Sequence, residues 1–419
     1  MAFTSIDPQN QGYPISYGNV CPESSACAHF SGFFPPGFWP IPHGSGNNTW
    51  MAMPSVNRRV FAACLATPLL AGPDAVYGAT APVSVSPGFR IDRREKKRVR
   101  AILSHQVKCP NIQATDWSVV AAIAPSFPGQ EKTRTQMTPQ AVDKRDKSPQ
   151  GRELLIAVLP AKGSWVNTLS VVLTYEATLF SRVLKPLEPD EKPPTVAPLR
   201  PAEQRNYLAS RGDIDFAALE FASWLSGQRL RRNQGEVDLD FARRIYLRLK
   251  MEMRYDYQPL SSRQATFVCK TGKTDCGGLS ILFVAVMRAA GIPARVHYGR
   301  WAVSAVPDSK LGKTPYFQWH VKCEFFAAGV GWVPVDLSRA VENDTKNPAG
   351  LAYFGNDPGT FLTFHFDPNL LIDSGLYGIK VVHNLQYPNW WWIGKGTTEP
   401  LIVTENWQVA EIPSPTPGG

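Results

Sequence analysis

The chain has 419 residues, of which 43% are hydrophobic and 19% are charged, and its formal net charge at pH 7 is +9. This balance is typical of a globular protein with two to three domains, and it excludes a chain that is disordered throughout. No run of 18 or more apolar residues occurs, so the sequence predicts no transmembrane segment.

The first 52 residues are rich in Pro, Gly and Asn and have no periodic pattern, so residues 1–52 are predicted to be disordered or to precede the true start of the protein. Within residues 53–81, two arginines, an apolar run and a group of small residues follow Met53 in the order of an export signal. If Met53 is the true start, the protein is secreted or periplasmic. The alternative is a short buried helix interrupted by Pro68.

Six basic side chains lie between residues 93 and 100. Such a run can attract nucleic acid or anionic lipid through its charge. No heptad repeat, zinc finger or RNA-binding motif follows it, so we expect a solvated linker here and no specific nucleic-acid partner.

Residues 88–187 contain short β-rich runs separated by Pro, Gly and charged residues, and this pattern predicts a small β-sandwich domain. The runs include Trp117–Ile123, Leu154–Leu159 and Leu169–Leu173. Prolines then recur among Glu and Lys, which predicts a stiff linker at residues 188–201.

The predicted second domain covers residues 202–340, where apolar residues first recur at the intervals of an amphipathic helix. These include Phe241, Ile245 and Leu249. A later helix begins near Cys276 and is ended by Gly291, a residue type that favours the left-handed conformation found after helices.

Three predicted strands follow this helix, at residues 294–300, 317–326 and 331–336. The domain is therefore predicted to be α+β, with helices packed on an antiparallel sheet. The remaining residues, 341–419, are predicted to form a carboxyl-terminal extension packed on this domain.

Cys276 is predicted at the start of the later helix, where free backbone N–H groups and the helix dipole favour a thiolate and lower the pKa of a thiol. The same N–H groups can hold an oxyanion. Gly277 and Gly278 follow directly, and we expect them to leave room for a carbonyl group to approach the sulfur.

A thiol nucleophile needs an imidazole to take its proton and a carboxylate to orient the ring. If residues 317–326 and 330–336 form a hairpin that turns symmetrically about Ala328, His320 lies directly opposite Asp336. Their β-carbons would then be about 5 Å apart.

Four motifs in this domain resemble the transglutaminase-like superfamily in order and spacing. They are Thr274-Asp275-Cys276-Gly277, Gly291-Ile292-Pro293-Ala294-Arg295, His320-Val321-Lys322-Cys323-Glu324 and Gly331-Trp332-Val333-Pro334-Val335-Asp336. The resemblance implies a papain-like core, preceded by a β-sandwich as in secreted bacterial members. It also implies Cys276 as nucleophile, His320 as general base and acid, and Asp336 as the orienting carboxylate. An upstream side chain completes the oxyanion hole in this family, and Gln264 is the candidate here, with Trp224 as the alternative.

A zinc site built from thiolates and imidazole is the main rival interpretation. Its ligands would be Cys269, Cys276, His320 and Cys323. Residues three apart on a strand point to opposite faces, so His320 and Cys323 do not readily share one ion. No acidic loop of alternating oxygen ligands is present either. We therefore expect no metal and no other cofactor, and the disulfide state of Cys109, Cys269 and Cys323 stays open.

The predicted activity is acyl transfer or hydrolysis at an amide bond through a thioester. Its substrate is a protein or peptide, and either water or an amine accepts the acyl group. The alternative is a noncatalytic binding or assembly module on the same fold.

Overall fold

The computed structural model describes residues 88–160 and 166–413. The predictions for residues 1–52 and for the export signal at residues 53–81 fall outside this range. Within it, helices combine with sheets that are almost entirely antiparallel, so the predicted α+β class is confirmed. No helix in the described residues has the length and apolar character needed to cross a membrane.

The strands of the described residues are β1 (Phe89–Lys108), β2 (Ile112–Ala122), β3 (Gln130–Thr138), β4 (Val142–Arg145), β5 (Glu153–Pro160), β6 (Thr168–Pro186), β7 (Arg254–Tyr255), β8 (Lys273–Thr274), β9 (Ala294–Trp301), β10 (Lys310–Leu311), β11 (Thr314–Pro315), β12 (Trp319–Ala327), β13 (Gly331–Val335), β14 (Asn356–Asp357), β15 (Phe361–Phe366), β16 (Leu370–Asp373), β17 (Ile379–Val382), β18 (Asn389–Gly396) and β19 (Ile402–Glu411). The helices are α1 (Pro201–Leu208), α2 (Leu219–Gly227), α3 (Asp238–Glu252), α4 (Ala265–Thr271), α5 (Cys276–Ala289) and α6 (Leu337–Asn343).

The basic run at residues 93–100 lies inside β1, so its prediction as a linker was wrong. β1 pairs with β6 along almost its whole length. The strand accommodates the charges because neighbouring carboxylates pair with them. For example, Arg100 Nε donates to Glu176 Oε1 of β6 at 2.8 Å.

Two sheets in the order β14-β6-β1-β19 and β18-β2-β5-β4 contribute to one apolar core, with β3 also pairing with β6. Strands from the end of the chain complete both sheets, because β19 pairs with β1 and β18 with β2. The buried Trp390, Trp391, Trp392 and Trp407 fill this core. The predicted boundaries of the sandwich, linker and extension remain predictions, but residues after 341 contribute strands to the amino-terminal sheets.

A second core lies between the helices and the sheet β13-β12-β9-β15. α5 is apolar on nearly all sides and is buried there, as expected for a central helix. Gly291 follows α5 with a φ of +76°, the left-handed conformation that the sequence predicts. Alternation along β12 turns Val321, Cys323 and Phe325 toward this helical core.

The opposite face of β12 carries charged side chains that bond to elements of the amino-terminal sheet. Arg182 on β6 lies 2.7 Å from Glu324, and Lys322 lies 2.8 Å from Asp357 on β14, which itself pairs with β6. These pairs are buried, so β12 is fixed on both faces. His320, the second residue of β12, therefore lies on a rigid strand.

Candidate active site

Cys276 is the first residue of α5, and the preceding Asp275 caps the helix. The Asp275 carboxylate accepts a hydrogen bond from Gly278 N–H at 3.1 Å, which satisfies one of the free donors of the first turn. Arg263 holds the other side of the same carboxylate, with Nη2 at 2.6 Å and Nε at 2.9 Å from Oδ2. The cysteine is thus positioned by a buried ion pair directly before it.

Burial raises the pKa of the Cys276 thiol well above its usual value, and the Asp275 carboxylate raises it further. Arg263 and a hydrogen bond from Val321 N–H act in the opposite direction but do not outweigh burial. The expectation that the helix start lowers this pKa was therefore wrong, because desolvation exceeds the effect of the helix end. The thiol needs a base to become a thiolate.

Gly277 and Gly278 make room for neighbouring protein side chains. A β-carbon on residue 278 would lie 2.0 Å from Thr274 Oγ1, and one on residue 277 would lie 3.1 Å from Arg263 Cδ. The expectation that these glycines also leave room for a carbonyl group at the sulfur stays a prediction. They allow Thr274 and Arg263 to pack closely against the first turn of α5.

The predicted base, His320, is the second residue of β12, and β12 packs against α5. Ser280 on α5 donates to Val321 O at 3.2 Å, which fixes the first turns of α5 against the residue that follows His320. The Asp336 carboxylate, which bonds to His320, also interacts electrostatically with Cys276. The structure thus brings Cys276 and His320 into the same region.

The hairpin register differs from the predicted one by two residues. Cys323 pairs with Val335 and Ala327 with Gly331, so the turn is centred on Gly329 and not on Ala328. Asp336, just beyond β13, is therefore diagonal to His320 and not directly opposite. A shift of two residues keeps both side chains on one face. His320 Nε2 lies 2.8 Å from Asp336 Oδ2.

Asp336 serves a second purpose as the N-cap of α6. Its Oδ1 accepts hydrogen bonds from Arg339 N–H at 3.1 Å and from the Ser338 hydroxyl at 3.0 Å, which leaves Oδ2 for His320. Burial alone would raise the pKa of Asp336, but His320 and the Arg339 amide hold it below its usual value. The group is thus an ionised acceptor, and Nε2 of the ring is the donor to it. Nδ1 of His320 is not bonded to this carboxylate and can bond to another group.

Aromatic rings fix the plane of the His320 imidazole. Trp301 stacks on it with ring centroids 4.4 Å apart, and Phe361 packs edge-on at 5.9 Å. These contacts restrict ring rotation, so the imidazole is held between the carboxylate and the start of α5.

Two tyrosines near the thiol were not singled out from the sequence. Tyr255 lies on β7, which pairs in parallel with β8 so that Tyr255 is opposite Thr274, two residues before Cys276. Burial raises the pKa of Tyr255 and of Tyr316, and the charge of Cys276 raises each further. Both phenols therefore remain protonated, and both interact electrostatically with Cys276. A two-residue strand has no sequence pattern that would have revealed Tyr255.

Gln264 is the N-cap residue of α4, and its side chain is exposed. Trp224, the alternative, lies on α2 and packs against the helical core. The role of Gln264 as an oxyanion donor stays a prediction.

The four cysteines of the described residues are free, and no group of three or more potential ligands there is arranged to hold a metal ion. The zinc interpretation therefore has no support in this part of the chain.

Replacing Arg263 by Met tests how the ion pair at the start of α5 tunes the thiol. Arg263 is a cation that favours the thiolate, so its loss raises the pKa of Cys276 further. We expect alkylation of Cys276 by iodoacetamide at neutral pH to slow several-fold and its pH profile to move to higher pH. The exposed Arg254→Met is the control. An unchanged profile in a folded Arg263→Met protein would contradict this electrostatic role.

Residues 228–337 match the family model of the transglutaminase-like superfamily, a segment that contains Gln264, Cys276, His320 and Asp336. An uncharacterized protein from Haemophilus influenzae is 29% identical over 141 residues, an alignment that covers 28% of this chain. The chain matches only 37% of the length of that curated relative.

The chain also matches solved structures, among them the following two. A candidate cysteine protease from Cytophaga hutchinsonii has a TM-score of 0.45 and 14% identity, covering 78% of this chain and 94% of that one. The periplasmic domain of TgpA from Pseudomonas aeruginosa has a TM-score of 0.29 and 14% identity, covering 59% of this chain and 91% of that one. The family match agrees with the resemblance found in the sequence motifs, and residues 228–337 belong to the transglutaminase-like superfamily.

Proposed function

We propose that the protein is a cysteine-dependent acyl transferase or hydrolase that attacks an amide carbonyl through Cys276. The main support is the 2.8 Å contact between His320 Nε2 and Asp336 Oδ2, together with the position of Cys276 as the first residue of α5, the helix that packs against β12. With Nε2 donating to the carboxylate, Nδ1 is free to accept the thiol proton. The raised pKa of the thiol makes this transfer necessary for attack.

The proposed reaction has two steps. The sulfur adds to the carbonyl carbon as its proton moves to His320, and the tetrahedral intermediate collapses to a thioester as His320 protonates the leaving amine. A water molecule or a second amine then attacks the thioester and gives its proton to His320. The C–S bond breaks, the acyl product leaves, and His320 returns the proton to the Cys276 sulfur. The first acceptor yields a peptidase or amidase, and the second yields a transamidase.

We propose that Tyr255 and Tyr316 supply hydrogen bonds to the oxyanion, together with backbone N–H groups at the start of α5. Both hydroxyls stay protonated, β7 pairs Tyr255 with Thr274, two residues before Cys276, and Tyr316 lines the same cleft as Asp336. Gln264 remains the candidate that the family resemblance implies. Donors aimed at the developing charge are usually the largest contribution to such catalysis.

The test is alkylation of the folded protein with iodoacetamide across pH, with the modified residue identified by mass spectrometry. Cys109 and Cys323 are fully buried, whereas Cys276 is partly exposed, so neither Cys109 nor Cys323 should react in the folded state. We expect labelling at Cys276 near neutral pH, absent in Cys276→Ala and reduced by about tenfold or more in His320→Ala. Equal rates for His320→Ala and the parent would overturn the proposed pairing.

The noncatalytic alternative makes the opposite prediction. A binding module on this fold has no need of a reactive thiol, so Cys276 would label no faster than a free cysteine whose pKa is raised by burial.

We further propose that the protein is secreted or periplasmic. This rests on the segment at residues 53–81 and is checked by amino-terminal sequencing of the exported protein.

A further inference from the structure

A cleft of about 440 Å³ lies directly beside the His320–Asp336 pair. Its wall includes Asp336 itself and Trp301, whose indole stacks on the His320 ring. Tyr316, which interacts with Cys276 electrostatically, also lines it. This volume is in the range of pockets that bind small ligands or peptide side chains.

Most charges on the cleft wall are already paired. Lys322 Nζ lies 2.8 Å from Asp357 Oδ2, and Asp336 is bonded to His320. Arg339 is different, because it is exposed and no carboxylate of the described residues lies within ion-pair distance of its guanidinium. Glu342, on the next turn of α6, interacts with Arg339 electrostatically but forms no ion pair with it.

The Arg339 side chain is positioned by its surroundings. Its backbone N–H donates to Asp336 Oδ1 at 3.1 Å, so the residue is fixed to the carboxylate that orients His320. Its guanidinium carbon is 5.9 Å from the ring centroid of Trp301 and 5.9 Å from that of Tyr353. Contacts with two aromatic faces favour a limited set of positions over the cleft.

We propose that Arg339 binds a carboxylate of the acyl donor, so that acidic peptides are the preferred substrate class. This inference rests on the proposed function, because it assigns a substrate to that same site. A guanidinium has a planar fork of donors that matches a carboxylate with two parallel hydrogen bonds. The unpaired charge, the aromatic support and the position beside His320 all favour such a ligand over a neutral or basic peptide.

The test measures binding without chemistry. The Cys276→Ala protein is immobilised and exposed to acetylated, carboxamide-ended heptapeptides that carry Glu or Gln at each position in turn among randomised residues. Retained peptides are quantified by mass spectrometry. At one position we expect Glu peptides to be retained about tenfold more than their Gln counterparts, the order of one charged hydrogen-bonded contact.

Variants in the Cys276→Ala background assign this preference to one side chain. Arg339→Met should bring the ratio of Glu to Gln peptides near one, and Arg339→Lys, which keeps the charge but loses the fork, should give an intermediate ratio. Arg243→Met, an exposed arginine on α3, should leave the ratio unchanged. Thermal unfolding confirms that each variant is folded.

Equal retention of Glu and Gln peptides, or a preference that survives Arg339→Met, would overturn the inference. Failure of Cys276 to label in the parent protein would instead overturn the proposed function. The two results are independent, because binding is measured in a protein that has no nucleophile.

Discussion

Asp336→Asn should abolish most of the reactivity of Cys276 while leaving the fold intact. Asparagine keeps an oxygen that can accept from Arg339 N–H and Ser338, so the cap of α6 is retained. Its nitrogen replaces Oδ2 and donates to His320 Nε2. The ring must then carry its proton on Nδ1, and it cannot accept the proton of the thiol.

The measurement is acylation by 4-nitrophenyl acetate, followed as release of nitrophenolate, with Cys276→Ala as the background. We expect the acylation rate to fall roughly 10²- to 10⁴-fold, the usual contribution of a positioned general base. Asp336→Ala removes the helix cap as well, so it should also lower the free energy of unfolding by about 1 kcal/mol. A folded Asp336→Asn protein that reacts at the parent rate would refute the orienting role.

The motifs around Cys276, His320 and Asp336 were enough to predict the family and the central fold, because each combines a chemical group with a local structural signal. Asp275 is an N-cap followed by an apolar helix, and Gly291 ends that helix. The pairing register of the hairpin between β12 and β13 was harder to predict. The hairpin register differed by two residues because the three residues between Ala327 and Gly331 allow more than one turn.

Properties that depend on distant parts of the chain were not predictable. The pKa of Cys276 is set by burial, which a local sequence does not report. The basic run in β1 was interpreted as a linker because its carboxylate partner, Glu176, is 76 residues away from Arg100. The pairing of β1 with β19, such as Leu103 with Trp407, joins opposite ends of the described chain.

Glu324→Gln should cause the largest loss of stability among these variants. Glu324 is fully buried, and its two oxygens bond to Arg182 Nη1 at 2.7 Å and to Arg295 Nε at 2.7 Å. The amide removes the negative charge, which leaves the buried Arg295 without its carboxylate partner and Arg182 with Asp357 alone. We expect the free energy of unfolding to fall by about 3–5 kcal/mol, the usual cost of breaking a buried pair.

Urea unfolding measures this loss, and Glu153→Gln is the matched control. Glu153 pairs with Arg145, but their side chains are 54% and 68% exposed, so its loss should cost below about 1 kcal/mol. Arg182→Met together with Glu324→Gln should cost less than the sum of the single changes, because the two groups interact. Additive losses would show that the pair is not coupled.

The pKa of the Glu324 carboxylate decides how its stabilisation of the fold changes with pH. Burial alone would raise the pKa of Glu324, but Arg295 and the neighbouring cations hold it well below its usual value. The stabilisation that Glu324 gives is therefore fully present above the pKa that this group has in the unfolded protein. It is lost as the pH falls through the lower pKa that the group has in the folded protein. The difference between parent and Glu324→Gln should be constant above about pH 5 and shrink in more acidic solution.

The Glu324→Gln variant also tests whether the buried ion-pair network affects the reactivity of Cys276. Arg182 bonds to both Glu324 and Asp357, and Lys322 bonds to Asp357, so this buried network ends at the wall of the cleft. None of these hydrogen bonds involves His320 or Asp336. The folded fraction of Glu324→Gln should therefore alkylate Cys276 at the parent rate, and a slower rate would mean that the network also sets the position of His320 on β12.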